Sequence, residues 1–280
     1  MSTQMPMTPI IESTFHAGRI AINYGEAAGT GPAIVMLHGM TGDWRGFRDL
    51  MNRLAGGWHS YACDLRGHGK SGRDEGNYRL PDYASDIQAF LAGVSGPAVL
   101  LGHSLGALTA MLVAAGKTEL VRGAVLLDPP VYVRNAPLGT HPAVEDWFGW
   151  VYETVKDGPT LDQVVEACRL REPDADEKEI QAVALRVSRV DPGTVGAALE
   201  ETMGDDADME AALAGLRCPT LVLRGEWRCG ACVREEDAAW MRATAPALQI
   251  VQIPGGSHGF LWENPEETAE LIQGFLGILR

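Results

Sequence analysis

The sequence predicts an α/β fold: a mostly parallel, eight-stranded sheet flanked by helices, with a helical cap inserted after the sixth strand. Three observations lead to this prediction. Short apolar runs alternate with amphipathic stretches along most of the chain, as expected where parallel strands are covered by helices. The first two segments instead alternate apolar and polar residues, which is typical of an antiparallel hairpin. Between Val131 and Leu216 the strand pattern fades.

The predicted elements follow in chain order. The hairpin comprises Ile10–Thr14 and Arg19–Tyr24, joined across His16-Ala17-Gly18. Short apolar runs are predicted to be buried strands at Ala33–Leu37, His59–Asp64, Ala98–Gly102, Gly123–Asp128, Thr220–Arg224 and Gln249–Ile253. Amphipathic spacing predicts helices over Phe47–Leu54, Asp82–Gly93, Ser104–Ala115 and Pro265–Leu279.

The segment between the sixth and seventh strands is too long to be a simple connection, because loops in compact domains are usually short. It contains an aromatic cluster (Trp147, Phe148, Trp150 and Tyr152) and acidic helical stretches interrupted at Gly158, Pro173 and Pro192. We expect residues 134–216 to form a helical cap over the strand ends. Residues 1–133 and 217–280 would then form the core domain.

The composition is that of a globular protein and limits its partners. The chain has 280 residues, of which 46% are hydrophobic and 21% charged, and a formal net charge of -14. A field of that sign repels phosphate backbones and anionic membranes, so no nucleic-acid or membrane partner is expected. The chain opens without a signal-peptide pattern, and no stretch approaches the roughly 18 apolar residues that cross a bilayer. We expect a cytoplasmic protein with a small-molecule substrate, and the sequence also allows a homodimer.

The five cysteines are scattered along the chain and do not form a disulfide framework. Cys229 and Cys232 have C-x-x-C spacing, but they come late in a large fold rather than at the first helix of a small redox domain. One pair also falls short of the four ligands of a structural zinc site. We expect two loop cysteines, no metal and no cofactor.

The strongest chemical signal is the segment Gly102–Gly106, which reads GHSLG. It follows the apolar run AVLL and opens an Ala-rich predicted helix. In that context G-x-S-x-G is a nucleophile elbow, a sharp strand-to-helix turn that presents the serine hydroxyl at the helix N-terminus. Backbone N–H groups there favour developing negative charge. The pattern therefore predicts Ser104 as a nucleophile.

Attack on a carbonyl produces an oxyanion, which needs two converging backbone N–H donors. We expect one donor from Leu105, the residue after the serine. The second would come from Met40, just past His38-Gly39 at the end of a predicted strand, where the glycine lets the chain turn inward.

A serine nucleophile also needs a base whose pKa is close to neutral, and histidine supplies one. His258 lies far downstream in the glycine-bearing loop GGSHG, after the last predicted strand. His103 adjoins Ser104 and must point away from it along the backbone. The sequence therefore predicts His258 as the general base.

Over essentially its full length the chain resembles the α/β-hydrolase superfamily. The matching residues are His38-Gly39, Asp64–Ser71 (DLRGHGKS), Gly102–Gly106 and the loop that contains His258. The resemblance implies the α/β-hydrolase fold, a serine esterase or lactonase activity, and the chain order nucleophile, acid, histidine. Asp64–Ser71 also ends like a phosphate-binding loop, but Asp64 stands where such a loop needs its first glycine, so nucleotide binding is not expected.

The acid that would orient the histidine has two candidates. Most relatives carry an aspartate two or three positions after the glycine that follows the strand Thr220–Arg224. Here that stretch reads GEWR, with Arg228 where the aspartate is expected. Asp128 ends an earlier strand, a position that some α/β hydrolases use, although aspartate before two prolines is also a common turn former. We favour Asp128, and Glu226 is the alternative.

A serine triad with an oxyanion hole suits acyl transfer to water. The leading prediction is a hydrolase that cleaves a small hydrophobic carboxylic ester or lactone through an acyl-enzyme. One alternative is hydrolysis of a carbon–carbon bond in a diketone or ring-fission product. Another is a ligand-binding sensor with slow hydrolysis, since one fold hosts several functions. The aromatic residues of the predicted cap suggest an apolar or ring-bearing substrate, although such residues more often pack against a core.

Overall fold

The computed structural model describes residues 9–117, 119–135 and 142–279. Its eight strands form one sheet: β1 (Ile10–Ala17), β2 (Ile20–Ala27), β3 (Ala33–Leu37), β4 (His59–Cys63), β5 (Ala98–His103), β6 (Val121–Leu127), β7 (Thr220–Arg224) and β8 (Gln249–Gln252). The spatial order is β1-β2-β4-β3-β5-β6-β7-β8. Strands β3 to β8 are parallel, whereas β1 and β2 pair antiparallel with each other and β2 pairs antiparallel with β4. The predicted mostly parallel, eight-stranded sheet is confirmed.

The hairpin is longer than its sequence pattern predicts. Strands β1 and β2 pair without interruption from Ile10 opposite Ala27 to Ala17 opposite Ile20. Only Gly18 and Arg19 remain for the turn, and Gly18 has a φ of 60°. The predicted turn at residues 16–18 therefore began two residues too early, because the left-handed glycine allows a two-residue connection.

Helices follow most of the strands. They are α1 (Arg48–Leu54), α2 (Leu80–Phe90), α3 (Leu105–Gly116), α4 (Pro142–Val155), α5 (Leu161–Arg171), α6 (Glu177–Val187), α7 (Pro192–Leu199), α8 (Met209–Ala214), α9 (Glu235–Thr244), α10 (Phe260–Glu263) and α11 (Pro265–Gly277). Alternate side chains of a strand point to opposite faces of a sheet. Accordingly, Ile34 and Met36 pack with α1 and α11, whereas Val35 and Leu37 pack with α2 and α3.

The long segment after β6 is helical, as its sequence pattern predicts. In the described part of this segment, five α-helices, α4 to α8, lie between β6 and β7, and we call residues 142–214 the helical insertion. Its buried residues, among them Val151, Val164 and Val187, belong to the same apolar core as α2 and α3. Residues 136–141, near its predicted start at residue 134, lie outside the described residues.

The parallel strands gather the loops that carry chemistry. Strands β3, β5, β6, β7 and β8 point the same way, so the segments that follow Leu37, His103, Leu127 and Arg224 meet at one edge of the sheet. In open α/β sheets, ligands bind outside these carboxyl ends. The sheet therefore brings Met40, Ser104, Asp128 and the His258 loop to a common place.

Candidate active site

Ser104 lies at the sharp turn between β5 and α3. Its backbone has φ 53° and ψ -117°, a conformation that residues with a side chain rarely adopt. Its N–H donates to the carbonyl of Leu127 at the end of the neighbouring strand, over 3.0 Å. The surrounding sheet thus stabilises a strained turn, which is the arrangement expected of a nucleophile elbow.

The glycines on either side of Ser104 make this turn possible. A Cβ atom on Gly102 would lie 2.1 Å from the carbonyl oxygen of Gly106. A Cβ atom on Gly106 would lie 2.1 Å from the carbonyl oxygen of Leu37 on β3. Both contacts are with backbone atoms that cannot rotate away. The two positions therefore need glycine so that the helix can begin directly against the sheet.

The imidazole of His258 contacts the carboxylate of Asp128 across 130 residues of chain. Nδ1 lies 2.6 Å from Oδ2. Asp128 has no exposed surface, and its carboxylate also accepts hydrogen bonds from the backbone N–H groups of Cys232, at 2.6 Å, and Val233, at 3.3 Å. These bonds satisfy a buried charge and fix its position. The contact leaves Nε2 of His258 for other partners.

Glu226, the alternative acid, is bound elsewhere. Its carboxylate accepts from the N–H of Gly255 at 2.8 Å and forms an ion pair with Arg228 at 2.5 Å. These contacts hold the loop after β7 against the loop before His258. Within the described part of the chain, Asp128 and not Glu226 contacts the imidazole.

Burial lowers the pKa of His258, but contacts with Cys232 and Asp128 outweigh this effect and raise the pKa well above its ordinary value. Burial also raises the pKa of the Cys232 thiol, which keeps this group protonated. Asp128, whose carboxylate contacts the ring directly, is therefore the charged neighbour that favours the imidazolium over the neutral imidazole. Asp128, Cys232 and His258 also bring three potential metal ligands within 4.8 Å, but the direct bond between the acid and the imidazole accounts for two of them.

His103 contributes to the site in a way that sequence reasoning missed. Its Nε2 lies 2.9 Å from the carbonyl oxygen of His258, and the two rings are 4.5 Å apart. Burial lowers the pKa of His103 to about 3, so the ring is neutral and its Nε2–H donates to that carbonyl. The residue next to the serine thus holds the loop that carries His258, the predicted base. Its position beside Ser104 gave no signal for this contact.

The predicted oxyanion donors lie on two adjoining segments. Leu105 is the first residue of α3, where a helix leaves its backbone N–H groups without intrahelical partners. Met40 follows β3 and, like Leu105, borders the cavity described below. The loop before Met40 is fixed by His38, whose Nε2 accepts from the N–H of Leu65 at 2.9 Å. Its Nδ1–H donates to the carbonyl of Gly39 at 2.7 Å.

Ser104 and His258 border the same cavity, which has a volume of about 680 Å³. Most of its wall is apolar, with Leu80, Leu108 and Val133 among the lining residues. The helical insertion supplies Trp147 and Phe148. Trp150 is not part of this lining and packs against Trp147 with the two rings tilted by 32° and their centres 5.1 Å apart. Within the aromatic cluster seen in the sequence, Trp147 and Phe148 therefore line the cavity, whereas Trp150 packs against Trp147.

Asp64 explains why the segment Asp64–Ser71 is not a phosphate loop. Its carboxylate accepts hydrogen bonds from the N–H groups of Trp44 and Lys70 and from the side chain of Asn23, at 2.7 to 2.9 Å. A Cβ atom on Gly69 would collide with it at 2.2 Å. The carboxylate therefore takes up the N–H of Lys70, a backbone amide of this segment that a phosphate would otherwise accept from.

Fold and site together are those of a hydrolytic enzyme built on a parallel sheet, and comparison with known proteins agrees. The chain belongs to the alpha/beta hydrolase family, whose model matches residues 34–271. It is 30% identical to the 2-(acetamidomethylene)succinate hydrolase of Mesorhizobium japonicum over 99% of both chains. It is 32% identical to the pimeloyl-(acyl-carrier protein) methyl ester esterase of Stenotrophomonas maltophilia over 91% of this chain and 96% of the relative.

Solved structures show the same likeness. The crystal structure of E-2-(acetamidomethylene)succinate hydrolase superposes with a TM-score of 0.74 at 27% identity, over 96% of this chain and 100% of the other. N-formylmaleamic acid deformylase from Pseudomonas putida S16 superposes with a TM-score of 0.76 at 22% identity, over 94% and 100%, which is a likeness of fold. Among the described residues, no helix has the length and apolar character to cross a membrane.

Proposed function

We propose that this chain is a serine hydrolase that cleaves a small carboxylic ester or lactone, with Ser104 as nucleophile, His258 as base and Asp128 as acid. The observation that carries the proposal is the 2.6 Å contact between His258 and Asp128 beside a cavity that the strained Ser104 also borders. Nucleophilic catalysis by serine needs a histidine base that is oriented by an acid. It also needs a serine hydroxyl that is held exposed, as the strained backbone of Ser104 does here.

In the proposed reaction, Oγ of Ser104 attacks the substrate carbonyl while Nε2 of His258 takes its proton. The N–H groups of Met40 and Leu105 stabilise the oxyanion. Collapse of this intermediate breaks the bond to the leaving alcohol, which receives the proton from His258, and an acyl-enzyme remains. A water molecule then repeats the sequence, with His258 again as base, and releases the acid.

The helical insertion would serve as a cap. We propose a core domain of residues 1–133 and 217–280 and a cap of residues 134–216. Support comes from Trp147 and Phe148, which border the cavity, and from the indole N–H of Trp147, which donates to Thr41 Oγ1 in the loop after β3 at 3.1 Å. A cap that closes the cavity would exclude water from the acyl-enzyme until the leaving group departs.

A second candidate is hydrolysis of an amide by the same residues. Sequence similarity favours it, since the relative that aligns over 99% of both chains is named for a compound that carries an acetamido group. The pimeloyl methyl ester esterases favour an ester. Attack, oxyanion and acyl-enzyme are common to both bonds, and the leaving nitrogen would take its proton from His258 as the alcohol does.

The test is a screen of the full-length protein against p-nitrophenyl acetate, a lactone, N-acetyl enamides and a diketone, with Ser104→Ala as the blank. We expect turnover of an ester, a lactone or an amide, together with loss of that turnover in Ser104→Ala. Circular dichroism shows whether the variant is folded. Diketone cleavage alone would transfer the assignment to carbon–carbon hydrolysis. A ligand that raises the melting temperature without any product would support the sensor.

A further inference from the structure

The cavity holds charged side chains that differ in their pairing. They are Asp43, Arg134, Arg186 and Glu201. Arg134 forms an ion pair with the buried Asp237 at 2.6 Å. Asp43 accepts from the backbone N–H of Arg45 at 2.9 Å and from its guanidinium at 3.2 Å. Glu201 is exposed to solvent.

Arg186 differs in its pairing from Arg134, the other arginine that lines the cavity. It lies in the last turn of α6, in the helical insertion, and is only partly exposed. Within the described parts of the chain, no hydrogen bond or ion pair joins its guanidinium to another residue. Burial lowers its pKa, and the nearby Asp43 raises it. The group still carries its charge, since arginine stays protonated in proteins.

A partly buried cation without a partner costs free energy that a bound anion would recover. The planar guanidinium matches a carboxylate with two parallel hydrogen bonds. The cavity that this group borders, about 680 Å³ in volume, also contains Ser104 and is mostly apolar elsewhere. A ligand that fits all three features is small, has an apolar or acyl part near Ser104, and carries an anionic group at the wall formed by α6.

We propose that Arg186 is a specificity-determining residue that binds a carboxylate of the substrate, so that the enzyme prefers small acyl derivatives of carboxylic acids over neutral esters. The statement that the substrate is an acyl derivative rests on the proposed function. The carboxylate site does not, because it is argued from the charged residues of the cavity. It also refines the prediction of an apolar substrate. The apolar walls would contact one end of the substrate, and Arg186 would bind a carboxylate at the other end.

The test measures succinate binding to the full-length protein in two ways: by isothermal titration calorimetry and as competitive inhibition of p-nitrophenyl acetate hydrolysis. Succinamide is the neutral analogue, and inorganic phosphate is the anion of different shape. The variants are Arg186→Gln, Arg186→Lys and the matched control Arg189→Gln, which changes the same residue type three positions later, outside the cavity lining.

We expect succinate to bind the wild type and Arg189→Gln equally. Binding should weaken about tenfold to a hundredfold in Arg186→Gln, as for loss of a charged hydrogen bond, and by less in Arg186→Lys. Succinamide should bind weakly to every variant. Succinate that fails to bind the wild type, or binds Arg186→Gln as tightly, overturns the carboxylate site. If phosphate binds in an Arg186-dependent manner and succinate does not, Arg186 binds an anion, but the assignment of that anion as a carboxylate is wrong.

The two readouts separate this inference from the proposed function. Calorimetry reports the carboxylate site even in a protein that hydrolyses nothing. If p-nitrophenyl acetate is turned over in a Ser104-dependent manner and succinate does not bind, the carboxylate site is wrong and the serine hydrolase stands. If succinate binds through Arg186 and Ser104→Ala keeps every hydrolytic activity of the wild type, the carboxylate site stands and the serine hydrolase is wrong.

Discussion

At the scale of single residues, the candidate site depends on Asp128, which orients His258 from a fully buried position. The residue has a φ of 44°, so its backbone is strained as that of Ser104 is. Two residues with side chains in the left-handed region, at the ends of neighbouring strands β5 and β6, indicate a site whose geometry is kept at a cost in stability.

The exchange Asp128→Asn should lower kcat for p-nitrophenyl acetate by about three to four orders of magnitude. An asparagine amide can donate to Nδ1 and hold the imidazole in the wrong tautomer, with its proton on Nε2. Steady-state kinetics measure the loss. Glu226→Gln is the control, since Glu226 binds Gly255 and Arg228 instead of the imidazole, and its kcat should stay within a few-fold of the wild type. The reverse pattern would assign the acid to Glu226.

The raised pKa of His258 predicts how activity depends on pH. A base must be neutral to accept a proton, and a raised pKa keeps the imidazole protonated to a higher pH. The ratio kcat/KM should therefore rise with pH, with a midpoint above the ordinary pKa of histidine. A pH–rate profile of the wild type measures this midpoint.

The same titration followed by NMR tests the cause of the raised pKa. Asp128→Asn removes the charge that favours the imidazolium and should lower the pKa of His258. Cys232→Ser should change it less, because the thiol is protonated at neutral pH. A larger shift in Cys232→Ser than in Asp128→Asn would contradict the assignment to the carboxylate.

At the scale of elements, the close approach of α3 to β3 sets the position of the elbow. The helix begins directly at the sheet, and Gly106 lies against the carbonyl of Leu37. This contact also connects the two segments that carry Met40 and Leu105. A change in the spacing of α3 and β3 would therefore disturb both predicted oxyanion donors.

The exchange Gly106→Ala should lower both stability and activity. Its Cβ would lie 2.1 Å from the Leu37 carbonyl oxygen, so α3 or β3 must shift, at a cost of about 1–3 kcal/mol in the free energy of unfolding. Gly116→Ala is the matched control in the same helix, where the nearest atom is Gln88 Nε2 at 3.7 Å. Urea unfolding and kcat/KM are measured for both. Equal effects in the two variants would show that the contact with β3 is unimportant.

Most of the strands and helices could be predicted from the sequence. The buried parallel strands are continuous apolar runs, so β3 was predicted with its observed bounds, and β5 and β6 to within two residues. The motif around Ser104 places strand, turn and helix in a fixed order, which the structure shows. Helix ends were less accurate: α2 begins at Leu80, two residues before the predicted start, because Pro81 suits the first turn of a helix.

At the scale of the whole molecule, the features that the sequence did not reveal arise from contacts between distant parts of the chain. The bond from His103 to the His258 carbonyl spans 155 residues. Arg186 comes from the helical insertion and lines the same cavity as Ser104, which lies 82 positions earlier in the chain. Local sequence patterns do not show which distant residues meet in the fold, so neither the His103 contact nor the place of Arg186 in the cavity could be predicted from the sequence.

In addition to the apolar core that they share, the helical insertion and the sheet domain are joined by backbone hydrogen bonds. The N–H of Asp191 donates to the carbonyl of Gly67 at 2.7 Å, and the N–H of Leu80 donates to the carbonyl of Met203 at 2.9 Å. Gly67 lies in the loop after β4, and Asp191 precedes α7. Together with the shared apolar core, these bonds help to hold the insertion, and with it Arg186 and Trp147, against the sheet.

The exchange Gly67→Ala tests this joint. Gly67 has a φ of 71°, and a Cβ there would lie 2.2 Å from Cγ2 of Thr194 on α7. Gly76→Ala is the matched control, because Gly76 has a φ of 80° and open space around the same position. Both variants place an alanine in a left-handed conformation, which costs about 1 kcal/mol in the free energy of unfolding. Only Gly67→Ala also pushes α7 away from the core.

Gly67→Ala should therefore lower kcat/KM much more than Gly76→Ala does, and it should increase proteolysis within the insertion. If both variants lose the same activity and are cleaved alike, the insertion does not depend on this contact for its position, because backbone strain alone would explain the loss.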